Sequence, residues 1–267
     1  MRVLDLFSGI GGFSYGLERA GGFETIAFCE QGEFQQQVLR KHWPEVPIHD
    51  DVRSMEFPEC DVITGGFPCQ DLSLAGKRAG ITGERSGLYR EVVRAVRMVR
   101  PAWVLLENVA ALLGSGMGRV LGDMAENGYD AEWDCVSAHD VGAPHGRDRV
   151  WIALADADKL KRQDRSGSDD GRGQRREEET GDAHRERELQ PPRLLGNVRR
   201  RVDHAARARA WWSRDWQEEF KALRGMDDEV PSRLDRGAMS KAVSALGNAV
   251  VTEIPEIWGH AIKEAAQ

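Results

Sequence analysis

The stretch that decides the fold is Arg2-Val3-Leu4-Asp5-Leu6-Phe7-Ser8-Gly9-Ile10-Gly11-Gly12-Phe13. It begins as an apolar strand pattern, passes into a glycine-rich turn, and leads to a helical pattern over residues 14–20. Glycines allow the backbone to approach a ligand closely, and a helix N-terminus favours polar or negative groups. The order strand, glycine turn and helix is therefore typical of the first half of a nucleotide-binding α/β unit.

A second strand pattern, residues 25–29, ends at Glu30. This carboxylate follows the glycines by about twenty residues, which is where a Rossmann-type fold binds ribose hydroxyls. An ordinary exposed glutamate after a simple glycine turn would produce the same pattern. The segment alone leaves both interpretations open.

Strand and helix patterns continue to alternate along the chain. Further strands are predicted at residues 47–49, 61–64, 103–106, 132–137 and 150–154, and helices at residues 31–42, 86–100 and 253–264, with another ending near residue 127. This alternation predicts an α/β fold with a largely parallel sheet. Glu107 follows the strand at 103–106, and the C-terminal ends of such strands are where open α/β sheets bind their ligands.

Residues 65–73, with the sequence Gly-Gly-Phe-Pro-Cys-Gln-Asp-Leu-Ser, follow a buried strand pattern. Cys69 lies there between a proline that fixes φ and a hydrogen-bonding glutamine, a position suited to nucleophilic attack. Free cysteines are usually buried and inert, so a small apolar residue at a strand end is the alternative. The spacing of one cysteine does not decide between the two.

Two arginines, Arg147 and Arg149, are predicted on the same side of an extended segment. They could belong to a binding site, or they could protect a solvated edge strand from aggregation by their charge. The segment itself favours neither interpretation.

Composition limits the possible classes of protein. The 267 residues, 40% of them hydrophobic, predict one large domain and a smaller appended one. Four cysteines without a CxxC pair (Cys29, Cys60, Cys69 and Cys135) favour a reducing, cytoplasmic location and argue against disulfides or structural zinc. No signal peptide or membrane span is predicted.

The net charge of −7 does not by itself suggest a nucleic-acid-binding protein. Residues 161–188, however, are almost entirely charged or small, which predicts a mobile insertion. Residues 193–214 then carry seven arginines against one acid and end near Trp211-Trp212. Such a stretch can contact phosphates, although tryptophans at a surface helix could equally fill the core of a small domain.

Taken together, these segments resemble the DNA (cytosine-5)-methyltransferases. Residues 5–12 are similar to the family's S-adenosylmethionine loop, and Gly66-Phe67-Pro68-Cys69-Gln70 to its nucleophile motif. Glu107-Asn108-Val109 is similar to its base-binding motif, and Gly247-Asn248-Ala249-Val250 to its C-terminal cofactor motif. One departure is that the family's usual Gln-x-Arg-x-Arg is His145-Gly146-Arg147-Asp148-Arg149 here. The motifs occur in the family's order.

The resemblance implies a Rossmann-like, S-adenosylmethionine-dependent methyltransferase sheet with a small inserted target-recognition domain. Residues 1–156 would form the catalytic and cofactor-binding domain, and residues 157–232 the target-recognition region. Residues 233–267 would return to the large domain beside its first strand. The implied partner is double-stranded DNA, with a cognate restriction endonuclease as a further one, and a monomer is expected.

The resemblance also assigns roles to residues. Cys69 would add to C6 of a flipped cytosine, protonated Glu107 would donate to its N3, Arg149 would hold its O2, and Arg147 would fix the arrangement. The predicted cofactor contacts are Phe7, Gly9, Gly11, Glu30, Asp51, Phe67, Leu88 and Asn248. The predicted DNA contacts are Gln70, Ser73, Arg85, Arg199, Arg200 and Arg201. No metal is implied.

Three other functions are compatible with parts of this pattern. Cytosine-5 methylation of RNA is one, because phosphate contacts carry no base identity. A nicotinamide-dependent oxidoreductase would explain the glycine turn and its acid, but leaves Cys69, Glu107 and the arginine pair without a role. A non-catalytic DNA-binding module is the third, and the presence of Cys69, Glu107 and Arg149 argues against it.

Overall fold

The computed structural model describes residues 1–68, 87–143, 146–159, 198, 201 and 249–266. Their elements, in chain order, are β1 (Arg2–Leu6), α1 (Gly12–Ala20), β2 (Glu24–Cys29), α2 (Glu33–His42), β3 (Ile48–His49), β4 (Val62–Gly65), α3 (Leu88–Val99), β5 (Trp103–Val109), α4 (Leu112–Ser115), α5 (Met117–Glu126), β6 (Tyr129–Ser137), a 3₁₀ turn (Ala138–Val141), β7 (Asp148–Asp156) and α6 (Glu253–Ala265). The predicted strands and helices are present within these ranges. The helix expected to end near residue 127 is two short helices, separated at Gly116.

Seven strands form one sheet in the order β3-β2-β1-β4-β5-β7-β6. The first five in this order are parallel to their neighbours, and β7 runs antiparallel to both β5 and β6. One row of paired residues crosses four of the parallel strands. In it, Leu6 pairs with Cys29 and with Gly65, and Gly65 pairs with Leu106. The segments that follow these residues therefore leave the sheet along a single edge, here called the ligand edge.

Each face of the sheet carries its own apolar core. On one face, β-strand residues such as Leu4 and Ile63 pack with residues from α3 and α5. On the other, Val3 and Leu105 pack with residues from α1 and α6. The sheet and the helices on both of its faces match the predicted α/β fold, and the predicted fold class is confirmed.

Helix α6 packs closely against α1, although more than 230 residues separate them in the chain. A Cβ on Gly259 would lie 2.8 Å from Cβ of Ala20, and one on Gly16 would lie 2.8 Å from Cβ of Pro255. Glycine at both positions therefore allows the two helix backbones to approach. The end of the chain thus completes the core that the first helix begins.

The position of β7 answers one question that the sequence left open. This strand lies between β5 and β6, so Arg149 does not lie on an edge strand. The alternative that the arginine pair protects a solvated edge is therefore wrong. The edge strand on this side of the sheet is β6.

The predicted domain division stays a prediction, because most of residues 157–248 lies outside the described residues. Within the described ranges, no helix has the length and apolar character needed to cross a membrane.

Candidate active site

The glycine turn after β1 has an unusual backbone. Phe7, Gly9 and Gly11 all have positive φ, at 55°, 56° and 89°. At Gly11 a side chain would also clash, because a Cβ there would lie 2.6 Å from the ring of Trp43. A Cβ on Gly9, in contrast, would meet nothing within 4 Å. The turn is therefore closed by protein at Gly11 and open at Gly9, as a backbone that receives a ligand would be.

Glu30 closes the side of this turn. Its carboxylate accepts hydrogen bonds from the backbone N–H of Gly9 (2.8 Å) and of Gly32 (2.7 Å). Burial raises the pKa of Glu30, while the N–H groups of Gly32 and Gly9 oppose that shift. Each carboxylate oxygen keeps a lone pair for a further donor. The structure thus brings together Gly9 and Glu30, two of the predicted cofactor residues.

A buried carboxylate below the turn is absent from the sequence-based predictions. Asp5 is fully buried in β1 and accepts hydrogen bonds from the hydroxyls of Ser14 (2.8 Å) and Thr64 (2.7 Å). Burial raises its pKa to about 7, with the two hydroxyls opposing the shift. Asp5 joins β1 to α1 and β4 and so holds the turn against the sheet. An aspartate in an otherwise apolar strand was the available signal.

The second part of the site lies at the end of β5. The pairing of β5 with β4 ends at Leu106, so Glu107 is the first residue beyond β4. Its carboxyl group lies over Gly66, where an added Cβ would be 3.2 Å from Glu107 Oε2. The Nε atom of Arg149 is 2.8 Å from Glu107 Oε1, and the side chains of Arg149 and Glu107 are 22% and 12% exposed. Glu107 and Arg149 therefore form a largely buried ion pair.

This ion pair is not a well-aligned hydrogen bond, since Glu107 Oε1 has no hydrogen-bond partner of acceptable geometry within the described residues. Burial raises the pKa of Glu107, and the charges of Arg149 and Arg147 oppose the shift. Arg147 lies just before β7 and has its own pKa lowered by burial and by Arg149. Three of the predicted catalytic residues thus share one electrostatic environment.

An aromatic wall beside Glu107 was also missed from the sequence. Trp151 is opposite Glu107 in the β5–β7 register, and alternation along β7 places it on the same face as Arg149. Its ring packs edge-on against Phe13 with centroids 5.4 Å apart. The buried indole N–H has no hydrogen-bond partner in the part of the chain that the structure describes. Trp151 could have been predicted from sequence, because it follows Arg149 by two residues and alternation along a strand places both on one face.

Asn108 connects β5 to the exit of β4. Its side-chain amide donates a hydrogen bond to the carbonyl oxygen of Phe67 (3.0 Å), and its side-chain oxygen accepts the N–H of Val109 (2.8 Å). The ring of Phe67 in turn packs against Tyr89 of α3, with centroids 5.1 Å apart. The backbone that leads into Pro68 is therefore fixed on both sides.

The other predicted residues are dispersed or undescribed. Asp51 accepts the N–H of Arg53 in the loop after β3, and Leu88 begins α3 half-buried against the core. Arg201 contacts the carboxylate of Glu264 in α6. Outside the described residues lie Cys69, Gln70, Ser73, Arg85, Asn248, Arg199 and Arg200. Among the described residues, no group of three or more His, Cys, Asp or Glu side chains could hold a metal ion.

Fold and site together define an α/β protein with a ligand edge that carries two separate carboxylates. The model of the C-5 cytosine-specific DNA methylase family matches residues 1–221. Type II methyltransferase M2.BsuMI of Bacillus subtilis is 42% identical over 164 residues, which cover 58% of this chain and 42% of that protein. Type II methyltransferase M.CviJI of Paramecium bursaria Chlorella virus IL3A is 39% identical over 160 residues, covering 58% and 42%. The matched part thus spans less than half the length of either relative.

Solved structures agree with this result. A protein encoded within an E. coli prophage and assigned as a DNA modification methyltransferase is 28% identical, with a TM-score of 0.51 over 60% of this chain and 48% of that one. The methyltransferase EhMeth of Entamoeba histolytica, at 15% identity, shares the fold with a TM-score of 0.60 over 99% of this chain and 98% of its own. The chain belongs to the C-5 cytosine-specific DNA methylase family, and the resemblance stated from its motifs is confirmed.

Proposed function

We propose that this protein transfers a methyl group from S-adenosylmethionine to C5 of a cytosine in duplex DNA. The observation that carries the proposal is the largely buried pair of Glu107 and Arg149, which lies over Gly66, three residues before Cys69. A carboxyl group with a raised pKa and a neighbouring guanidinium are suited to the N3 and O2 edge of cytosine. Membership of the family supports the same reaction.

The glycine turn and Glu30 fit the predicted cofactor. Open space at Gly9 admits a ligand to the backbone, and the free lone pairs of Glu30 suit the two hydroxyls of a ribose. When bound, S-adenosylmethionine supplies an electrophilic methyl group. The residues proposed to hold it are Phe7, Gly9, Gly11, Glu30, Asp51, Phe67, Leu88 and Asn248.

The proposed reaction begins at Cys69. Cytosine C5 is too electron-poor to accept a methyl group unaided, so the thiolate first adds to C6 and forms an S–C6 bond. The electron pair displaced into the ring makes C5 nucleophilic, and C5 would take the methyl group as the bond between that methyl and the sulfonium sulfur breaks, which leaves a neutral thioether. Loss of the C5 proton to a base then returns an electron pair to the ring, and the S–C6 bond breaks to release the thiolate.

Glu107 contributes through its proton. The addition step increases electron density at N3, and a protonated carboxyl can donate a hydrogen bond there as it develops. Burial favours the neutral form that this role requires, while Arg149 limits how far the pKa rises. Arg149 would bind O2 in the same step, and Arg147 would orient it.

The target base must leave the DNA stack, because no side chain can reach C6 inside a duplex. Double-stranded DNA is therefore the proposed substrate, and Gln70, Ser73, Arg85 and Arg199–Arg201 are proposed to contact it. The type II designation of the relatives favours DNA over the RNA alternative and makes a cognate restriction endonuclease the proposed partner of the system. We propose that the protein acts as a monomer.

A fluorinated substrate tests the covalent step. The methylated sequence is first mapped with tritium-labelled S-adenosylmethionine, and a duplex with 5-fluorocytosine at that site is then prepared. Because fluorine cannot leave as a proton, the protein should remain bonded to DNA and migrate slowly on a denaturing gel. Cys69→Ser should form no such adduct. An active enzyme that methylates normal DNA but is never trapped would exclude the addition step, and incorporation of tritium into RNA alone would exclude DNA as the substrate.

A further inference from the structure

A groove between α3 and α5 lies apart from the site described above. It has a volume of about 440 Å³ and is lined by four arginines, Arg90, Arg94 and Arg97 from α3 and Arg119 from α5. Spacings of four and three residues place the α3 arginines on one side of that helix. Two carboxylates, Asp123 and Glu126, also line it. With Glu91, which pairs with Arg94, four guanidinium groups stand against three carboxylates, so the groove has an excess of one positive charge in a chain whose net charge is −7.

Two of the four arginines have structural roles. Arg94 pairs with Glu91 (2.6 Å), donates to the carbonyl of Val52 (2.6 Å) and lies 4.4 Å from the centroid of the Phe57 ring. Arg119 pairs with Asp123 at 3.3 Å. The charge of each is therefore paired with a carboxylate of the protein itself.

The other two arginines remain available to a ligand. Arg97 donates through Nε to the side-chain oxygen of Asn127 (3.0 Å), a neutral partner, and Arg90 is exposed. Neither forms an ion pair with a carboxylate within the described residues. They lie two turns apart, about 10.5 Å along the helix axis at 1.5 Å per residue. Arg90 and Arg97 thus carry the positive charge of the groove that no ion pair in the described part of the chain neutralises, and Glu126 in the lining offsets part of it.

The position of α3 connects this groove to the ligand edge. Tyr89 packs on Phe67, which follows β4 and accepts a hydrogen bond from Asn108, the residue after Glu107. Arg90 is the next residue, so the first turn of α3 lies at the ligand edge. From there the groove continues along α3 toward Arg97 and Asn127. A polyanion held at the ligand edge would therefore meet Arg90 first and Arg97 further along.

We propose that this arginine groove binds backbone phosphates of the DNA that flanks the target base, an inference that rests on the proposed function. Guanidinium groups bind phosphate oxygens with two parallel hydrogen bonds. Neighbouring phosphates of one B-DNA strand lie closer together than about 10.5 Å, so two guanidinium groups at that separation can contact two different phosphates. Arg90 and Arg97 would each contact one phosphate and add affinity without reading sequence.

The test measures how DNA affinity depends on salt. The full chain and the double variant Arg90→Gln/Arg97→Gln are titrated with a duplex of about three helical turns that carries the mapped site. Each lost phosphate contact should reduce the slope of log K against log salt by about one unit, so the variant should lose about two. Methyl transfer at saturating DNA should not change, since neither residue touches the reacting atoms.

The matched control is Arg2→Gln/Arg40→Gln, which removes the same charge at exposed positions away from the groove. It should keep the wild-type slope, and Arg90→Lys/Arg97→Lys should recover most of the lost slope because the charge is restored. Equal slopes for the glutamine variant and the control would overturn the inference. The inference would also be overturned if the lysine variant had the same slope as the glutamine variant. The reduced slope would then reflect a change in the packing of α3 and not the loss of two charges.

Two further outcomes distinguish a small-anion site from a failure of the proposed function. If millimolar inorganic phosphate raises the melting temperature of the wild type but not of the glutamine variant, while the DNA slopes are equal, the groove binds a small anion and the DNA inference is wrong. If the wild type binds and methylates no DNA at all, the proposed function fails and this inference fails with it. Methylation of DNA with unchanged slopes rejects the groove alone.

Discussion

Glu30 and Glu107 lie at the same edge of one sheet, yet the protein holds them in different ways. Glu30, at the end of β2, is fixed by two backbone N–H groups. Glu107, near the end of β5, is held by the side chain of Arg149. Burial raises the pKa of both carboxyls. Hydrogen bonds from backbone N–H groups oppose this shift at Glu30, and the charges of two arginines oppose it at Glu107.

The comparison indicates a division of tasks along the ligand edge. Backbone donors cannot rotate away or exchange partners, so Glu30 is a rigid acceptor, as a residue that positions a cofactor should be. An arginine side chain can move to bind a substrate oxygen, and the pKa of Glu107 depends on where that charge lies. The antiparallel strand β7 makes this possible, because it places Arg149 beside a carboxylate of a parallel strand.

The largest effect is expected from Glu107→Gln. An amide can hydrogen-bond N3 but cannot hold or transfer the proton, so methyl transfer in a single turnover should fall by about 10²- to 10⁴-fold. Cofactor affinity, measured by calorimetry, should stay near the wild-type value. A single-turnover rate close to that of the wild type would remove Glu107 from the chemistry and with it the proposed division of tasks.

Replacement of Arg149 should sharpen the comparison through pH. Arg149 opposes the effect of burial on Glu107, so Arg149→Met should raise the pKa of Glu107 further. Glu107 then stays protonated to higher pH, and the alkaline limb of the single-turnover pH profile should shift to higher pH. Loss of a charged hydrogen bond to the base should also lower kcat/KM by about 10- to 100-fold. Arg149→Lys retains the charge and serves as the control, with a smaller displacement of the limb. An alkaline limb that does not move in Arg149→Met would mean that another group titrates.

The smallest effect is expected at Glu30. Glu30→Gln places an amide against the N–H of Gly9 or Gly32 and removes the charge, which should weaken cofactor binding about tenfold or slightly more. The rate at saturating cofactor should hardly change, because Glu30 does not touch the base. Calorimetry with S-adenosylmethionine and a rate series at rising cofactor concentration measure both. A lower saturated rate with unchanged affinity would reverse the roles assigned to the two acids.

Much of this edge was predictable from sequence because its chemistry is local. The glycine turn, the strand that ends at Glu30 and the strand that precedes Gly66 each need only a short segment to be recognised. The family resemblance assigned Glu107 and Arg149 to the same base, but it did not predict that the two side chains contact each other. Their contact depends on β7 inserting between β5 and β6, and strand order is a long-range property that periodicity does not contain.

The residues that sequence reasoning missed share that dependence on long-range contacts. From sequence, Asp5 is only a residue of a strand. Its role depends on the hydroxyls of Ser14 and Thr64, which belong to two other elements and donate hydrogen bonds to its carboxylate. Trp151 could be any core tryptophan until the register places it opposite Glu107. Arg201, predicted to contact DNA from its basic neighbourhood, also pairs with Glu264, a contact that the sequence did not indicate, and its DNA contact stays a prediction. Charge density along a sequence does not say which carboxylates will be near in space.

The close packing of α6 on α1 has a consequence for biosynthesis. Phe13, Leu17 and Phe23 are buried against residues 254–262, which leave the ribosome only after more than 200 further residues have been made. At about 5–20 residues per second, that interval lasts at least about ten seconds. During it, one apolar face of the newly formed sheet has no helix α6 to cover it. A nascent chain of this design should therefore bind chaperones until α6 emerges, and stalled or truncated chains that lack α6 should aggregate.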